Sequence, residues 1–133
     1  MAKVKFTGPE KRAYLRIPVR CDIKYIKLSK NLRPFVNMIK KSHVRDVAAG
    51  GIKFVVRRKM AIGTMLDFQF KMPGSERRVA GLGEVVRITA RPGKRSYHVG
   101  VRFLWIPRRT VELIDSYVRR KRIEKVLKKV YGN

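Results

Sequence analysis

The sequence predicts an all-β fold class: a small, closed, antiparallel six-stranded β-barrel followed by a C-terminal α-helix. Two patterns indicate this architecture. Apolar and polar residues alternate along most of the chain up to Trp105, with turn signals between the runs, and behind Pro107 the period changes from two to about 3.6. The chain has 133 residues and shows no internal repeat and no strand–helix–strand rhythm, so we expect one domain with one core.

The first strand is predicted by apolar side chains at every second position. These are Leu15, Ile17, Val19, Cys21, Ile23 and Tyr25. Pro18 lacks a backbone donor, which places this strand at a sheet edge or turns the residue's nitrogen toward solvent. Cys21 lies on the apolar face, so we interpret it as a small buried hydrophobe rather than a reactive thiol.

Five further strands follow the same alternation. They are predicted at residues 43–47, 52–56, 66–72, 79–90 and 97–105. Segment 27–42 is predicted to be a connection, because Ser29, Asn31 and Pro34 interrupt the alternation. Gly81 and Gly83 indicate a bulge or a tight bend of the barrel.

The helix is predicted from about residue 109 to residue 131, with Thr110 as its amino-terminal cap. Such a helix would be roughly 33 Å long at 1.5 Å per residue, which exceeds what a small barrel can cover. Its distal half, residues 119–133, is strongly basic. We therefore expect this half either to fray or to contact a partner.

Charge is the outlying property of the chain. Thirty-four Lys and Arg residues against nine Asp and Glu residues give a formal net charge of +25. A field of this sign concentrates polyanions, so phosphate is the expected partner chemistry. The alternative is a solvated basic surface without a single ligand.

Candidate catalytic and metal-binding groups are few. Cys21 is the only cysteine, and His43 and His98 lie in separate predicted strands, so no zinc site can be assembled from them. We therefore predict a protein that is not an enzyme and needs no metal or cofactor. No apolar region follows the first lysines and no stretch is long enough to span a bilayer, so the expected compartment is the cytoplasm.

Two motifs occur in a defined order. Arg12 and Arg16 are four residues apart at the entry to the first strand, and the stretch HVRDVAAGGIKFVV places Asp46, Ala48, Gly50 and Gly51 between two strands. With the later VGVRF strand and the helix, this order resembles the PilZ domain, whose motifs are Arg-x-x-x-Arg and Asp/Asn-x-Ser-x-x-Gly. The resemblance covers nearly the whole chain, from Lys11 to about residue 118.

The resemblance implies a receptor for the bacterial second messenger cyclic di-GMP, with residues 1–10 as a flexible arm, 11–118 as the barrel domain and 119–133 as the distal helix. It implies that Arg12 and Arg16 hold the phosphates and guanines, and that Asp46 accepts hydrogen bonds from a guanine. Lys11 is a further candidate contact that would favour a stacked ligand dimer. Arg87, on a neighbouring strand, is a weaker candidate.

The glycines of the second motif are expected to leave room for the base. Gly51, and Gly50 beside it, would adopt positive φ without penalty. The family serine is Ala48 here, so one hydroxyl is missing, which would weaken binding by about three- to tenfold. The alternative interpretation of Asp46 and the glycines is an ordinary hairpin turn.

The family function would operate through the arm. Ordering of residues 11–16 on ligand binding would change the surface offered to a partner protein. A rival hypothesis from another class is a small basic barrel that binds RNA or DNA backbones, supported by the charge and by the aromatic residues of the strands. Those aromatic residues follow the same alternation as the aliphatic ones, which favours a place in the core.

The distal helix carries a third hypothesis, compatible with the first. Its basic, periodically apolar sequence RRKRIEKVLKKVYGN suits pairing with a second copy, an acidic partner or an anionic membrane. A frayed basic tail is the alternative.

Overall fold

The computed structural model describes residues 17–29 and 39–132. Within them lie six strands and one helix: β1 (Ile17–Lys27), β2 (Lys40–Ala48), β3 (Gly51–Val56), β4 (Met65–Lys71), β5 (Arg78–Ala90), β6 (Tyr97–Trp105) and α1 (Arg108–Tyr131). The strands close into a barrel in the order β1-β2-β3-β6-β5-β4, and every neighbouring pair is antiparallel. The predicted all-β barrel with a carboxy-terminal helix is confirmed. Most strand boundaries lie within one or two residues of the predicted ones, and the largest difference is that β2 begins at Lys40 rather than at residue 43.

The barrel interior is filled by the apolar side chains that alternate along the strands. On β4, Leu66, Phe68 and Phe70 are fully buried while the residues between them are exposed. The ring of Phe68 stacks on that of Phe103 with centroids 5.4 Å apart. These aromatic rings therefore belong to the core, as their alternation predicts, and are not available to stack on bases.

The first strand accommodates its proline where pairing is incomplete. Pro18 pairs with Asp46 of β2, next to an irregularity in register, whereas the pairing of β1 with β4 starts only at Ile23. The missing N–H of Pro18 therefore faces no second strand among the described residues. Cys21, further along β1, is partly buried, and burial followed by the charge of Asp22 raises its pKa to about 11. A thiol with this pKa stays protonated at neutral pH, which agrees with the predicted packing role.

The helix begins and ends close to the predicted residues, but its start uses a different cap. Pro107 precedes the first turn and no side chain caps it, whereas Thr110 lies inside that turn and is buried. The expectation that Thr110 caps the helix is thus wrong, because the cap position is Pro107, three residues earlier, and the helix begins at Arg108. At the other end Gly132 adopts the left-handed conformation, φ 63°, and donates its N–H to the carbonyl of Lys128.

Close backbone approach explains several glycines. The β5–β6 register shifts between Leu82 and Gly83, and a Cβ on Gly81 would collide with the Trp105 carbonyl, which confirms the predicted bulge. Gly51 is similar, since a Cβ there would collide with the carbonyl of Val101 on β6. Gly51 does not have positive φ, so that expectation is wrong. Its lack of a side chain lets β3 approach β6.

Replacing Gly51 with Ala is expected to destabilise the fold by about 1–3 kcal/mol, because the new methyl group meets rigid backbone. Gly100→Ala is the matched control, since its Cβ would only reach ordinary contact with Arg87, 3.4 Å away. Chemical unfolding of both variants measures the difference. Equal unfolding free energies for the two variants would contradict this role of Gly51.

Candidate functional site

An open cleft of about 520 Å³ lies on the outer surface of the barrel. Its lining residues come from four strands of the sheet and one turn: Ile17 and Pro18 of β1, Arg45 and Asp46 of β2, Lys53 of β3, His98 of β6, and Arg91 in the turn between β5 and β6. Strands distant in sequence thus bring three permanent cations, one carboxylate and one imidazole together.

A bulge in β2 explains why two consecutive residues face this cleft. Successive side chains of a regular strand point to opposite faces. The register of β2 against β3 shifts between Val44 and Asp46, which pair with Phe54 and Lys53. The extra residue turns Arg45 toward the same side as Asp46, a common effect of bulges next to binding sites.

Asp46 is held by an ion pair across the β2–β3 hairpin. Its Oδ2 lies 3.3 Å from Nζ of Lys53, the residue directly opposite in the ladder. The Asp46 side chain is only 18% exposed and that of Lys53 37%. In such a half-buried position the lysine offsets the cost of burying the carboxylate. The carboxylate is thereby kept at the cleft, where it can accept hydrogen bonds.

His98 is affected by the same group of charges. Burial lowers its pKa from 6.5, and the positive charges of Lys53, Arg91 and Arg45 lower it further, against a smaller opposite effect of Asp46. The imidazole is therefore largely neutral at neutral pH. A phosphate placed beside it would favour its protonated form.

Two arginines complete the positive rim. The Nε of Arg45 is buried and has no hydrogen-bond partner among the residues that the structure describes. Arg91 is oriented by the turn, since its Nη1 donates to Oγ of Ser96 at 3.0 Å. With Lys53 and Asp46 these groups give the cleft a net charge of about +2 at neutral pH, which suits a ligand with two phosphates.

The structure describes only part of the two predicted motifs. Lys11, Arg12 and Arg16 lie outside the described residues, although Arg16 directly precedes Ile17, which lines the cleft. Asp46 lies in the cleft, and its part in ligand binding stays a prediction.

The small residues of the second motif do not line the cleft. Ala48 and Gly51 pair with each other at the end of the β2–β3 hairpin, and both are buried. Gly50 lies in the turn, where its carbonyl accepts a hydrogen bond from the N–H of Phe103. In the described part of the chain these three residues shape the hairpin that positions Asp46.

Arg87 does not line the cleft but lies in the same row of the sheet. Asp46 pairs with Lys53, Lys53 with Gly100, and Gly100 with Arg87, so the row crosses four strands. At roughly 4.8 Å per strand, Arg87 is about 14 Å from Asp46 along this row. Gly100 has no side chain between Lys53 and Arg87, which leaves the outer surface open along the row.

Four lining residues with charged or titratable side chains were not predicted as site residues from the sequence: Arg45, Lys53, Arg91 and His98. A signal for Lys53 was present, because a two-residue turn at Ala49 and Gly50 places residues 46 and 53 opposite each other. The others depend on the β2 bulge and on the pairing of β6 with β3 and β5, which no local pattern reveals.

The described residues contain no candidate metal site. Residues 17–29 and 39–132 contain no group of three or more His, Cys, Asp or Glu side chains that could hold a metal ion. Nor does this part of the chain include a helix long and apolar enough to cross a membrane.

Replacing Lys53 with Met is expected to raise the pKa of His98, because it removes one of the positive charges that lower this pKa. In the wild type the lowered pKa makes the unfolded chain bind the proton more tightly, so stability is lost as pH falls below about 6.5. The variant should lose less stability over the same range. NMR titration of the His98 ring, assigned with a His98→Gln variant, measures the pKa, and a lower value in Lys53→Met would contradict the assignment of charges.

Comparison with known proteins gives a consistent result. No curated protein sequence matches the chain. The structure of the inhibitor of motility MotI/DgrA from Bacillus subtilis is similar with a TM-score of 0.72 and 19% identity, over 92% of this chain and 64% of that one, so this chain spans less than two-thirds of that relative. The PilZ domain of YcgR from Escherichia coli, solved with c-di-GMP, is similar with a TM-score of 0.58 and 14% identity, over 89% of this chain and 98% of that one.

These likenesses agree with the barrel and helix described above. The sequence model of the PilZ domain matches residues 10–120, most of the chain. This protein therefore belongs to the PilZ domain family.

Proposed function

We propose that this protein is a receptor for cyclic di-GMP and that the ligand lies over the cleft around Asp46. The observation that carries the proposal is the grouping of one carboxylate with Arg45, Lys53 and Arg91 on the outer face of the barrel. Membership of the PilZ family and the presence of c-di-GMP in the YcgR structure support the same ligand.

The groups of the cleft suit the two chemical parts of a cyclic dinucleotide. Asp46 can accept hydrogen bonds from N1–H and the amino group of a guanine, a pairing that adenine cannot reproduce. Arginine side chains present a planar fork that matches guanine O6 and N7 or two phosphate oxygens. We assign Arg45 and Arg91 to the phosphates, together with Arg12 and Arg16 of the first motif, and Lys11 to a second stacked ligand.

The ion pair between Asp46 and Lys53 has a part in this binding. A guanine that bonds to Asp46 competes with the Lys53 ammonium for the same carboxylate. The released lysine lies next to His98 and Arg91, where a phosphate of the ligand would take the place of the carboxylate as its partner. Binding therefore exchanges one ion pair for another, which limits the desolvation cost.

The signal would leave through the amino-terminal segment. Arg12 and Arg16 precede Ile17, which lines the cleft, so a ligand held there draws residues 11–16 to the barrel surface. The resulting change of surface is offered to a partner protein. This step is the regulatory part of the proposal.

Calorimetric titration of the purified protein with cyclic di-GMP, with linear GMP as the control for general charge attraction, tests the binding. We expect saturable binding of the cyclic ligand only. Asp46→Ala and Arg16→Ala should weaken it by roughly tenfold or more, as expected for loss of a contact that contributes about 1–3 kcal/mol.

Matched controls are Asp67→Ala and Arg57→Ala, which remove exposed charges of the same sign outside the cleft. These variants should bind like the wild type. Equal weakening of binding by all four substitutions would mean that the ligand is held by the overall charge of the protein and not by a specific site. Absence of saturable heat for the wild type would end the proposal, and a steep salt dependence of polynucleotide binding would then support a nucleic-acid function.

Ala48→Ser restores the hydroxyl of the family motif and is expected to tighten cyclic di-GMP binding by about three- to tenfold. The same titration measures the affinity. Ala48→Cys is a control of similar size with a much weaker donor and should give little gain. Unchanged affinity in the serine variant would mean that position 48 acts through packing of the hairpin alone, as its burial also allows.

A further inference from the structure

Helix α1 has two apolar faces on different sides. In its first half the buried residues are Thr110, Ile114, Tyr117 and Val118, which pack on the barrel near β1 and β2. In its second half the apolar residues are Ile123, Val126, Leu127, Val130 and Tyr131, all of them exposed. At about 100° per residue the centres of the two faces are about 160° apart. The second face therefore points away from the barrel that seats the first.

This second face is a continuous surface rather than a set of scattered side chains. Its five residues are between 49% and 77% exposed. Ile123, Val126 and Leu127 line an open groove of about 310 Å³ together with Arg119 and Arg122. Nothing in the described part of the same chain covers this face. The barrel cannot cover it, because the barrel packs on the opposite side of the helix.

The charge around this face selects the kind of partner. Residues 119–131 carry seven Lys and Arg residues and one Glu. From residue 121 onward the basic side chains occupy the circumference that the apolar side chains leave free, which makes this segment a basic amphipathic helix. A second copy would bring the same positive charge to the contact, and the apolar stripe spans only about three turns, too few for a coiled coil.

We propose that the distal half of α1, residues 119–131, binds the surface of an anionic lipid bilayer, with its apolar face inserted and its axis parallel to the membrane. An anionic bilayer matches both parts of this surface, because its acyl chains accept the apolar face and its negatively charged headgroups attract the basic side chains. Arg119 and Arg122 border the apolar groove, where their long side chains can reach the phosphate level. The net charge of +25 adds a long-range attraction to the same surface.

The two-faced helix also fits this arrangement sterically. Because the barrel lies on the side of α1 opposite to the exposed apolar face, the helix can lie flat on a membrane without a collision with its own domain. The proposal does not depend on the cyclic di-GMP function.

The test is flotation of the full chain with lipid vesicles that contain about a third phosphatidylglycerol in phosphatidylcholine, and with vesicles of phosphatidylcholine alone. We expect the wild type to bind only the anionic vesicles. Ile123→Ser/Leu127→Ser should weaken this partition by about tenfold or more, since it removes apolar area at the centre of the face. Lys125→Gln/Lys128→Gln should also weaken it and make it less dependent on salt.

Two matched double variants control for loss of any exposed isoleucine or any cation. Ile39→Ser/Ile62→Ser changes isoleucines that are 64% and 67% exposed elsewhere, and Arg57→Gln/Lys59→Gln removes two charges from the β3–β4 connection. Both should bind vesicles like the wild type. All the positions are exposed, and equal thermal unfolding of the variants verifies that the fold is kept.

Three results would overturn the proposal. The first is no flotation of the wild type with anionic vesicles. The second is flotation that Ile123→Ser/Leu127→Ser leaves unchanged, which would indicate charge attraction without a specific face. The third is a dimer mass by light scattering in the absence of lipid that the same variant converts to a monomer, which would mean that a second copy covers the face.

Discussion

Three glycines next to strand β6 set how closely the strands of this barrel approach one another. Gly51 on β3 faces the Val101 carbonyl, Gly81 on β5 faces the Trp105 carbonyl, and Gly83 faces the side chain of Val101, so that a methyl group at any of them would meet existing atoms. Close approach on both sides of β6 lets six strands curve into a closed wall around the stacked phenylalanines. The closed wall fixes the register of β2, β3 and β6, and this register brings Asp46, Lys53 and His98 to one place on the outside.

On the outer surface of the barrel acidic residues are scarce, so each carboxylate has several cations competing for it. The chain has nine Asp and Glu residues among 34 Lys and Arg residues, and a carboxylate in such a field is strongly attracted to neighbouring cations. Asp46 is the one that lies in the cleft, against Lys53. Its charge pairs with that of Lys53 and moderates the lowering of the His98 pKa. The cleft thus keeps an excess of positive charge without an unpaired acid.

The sequence predicted what depends on local periodicity and missed what depends on register. Alternation at every second residue was sufficient for the strands and for the core position of Phe68, and the change of period behind Pro107 located α1. The first helical turn was misjudged because propensity favoured Thr110 as a cap, whereas the cap position is Pro107 and the helix begins at Arg108. Arg45 was missed because a bulge, invisible in the alternation, turns it to the side of Asp46. Arg91 and His98 reach the cleft only through the pairing of β6 with both its neighbours.

The long terminal helix gives the domain a mechanical property. It is seated by Ile114, Tyr117 and Val118, near the strands that form one side of the cleft, and its remaining turns extend about 20 Å beyond this seat at 1.5 Å per residue. A tilt of about 6° at the seat would therefore move the tip near Tyr131 by about 2 Å. The helix is a lever whose short arm rests on β1 and β2, so that small changes in those strands are enlarged at its free end.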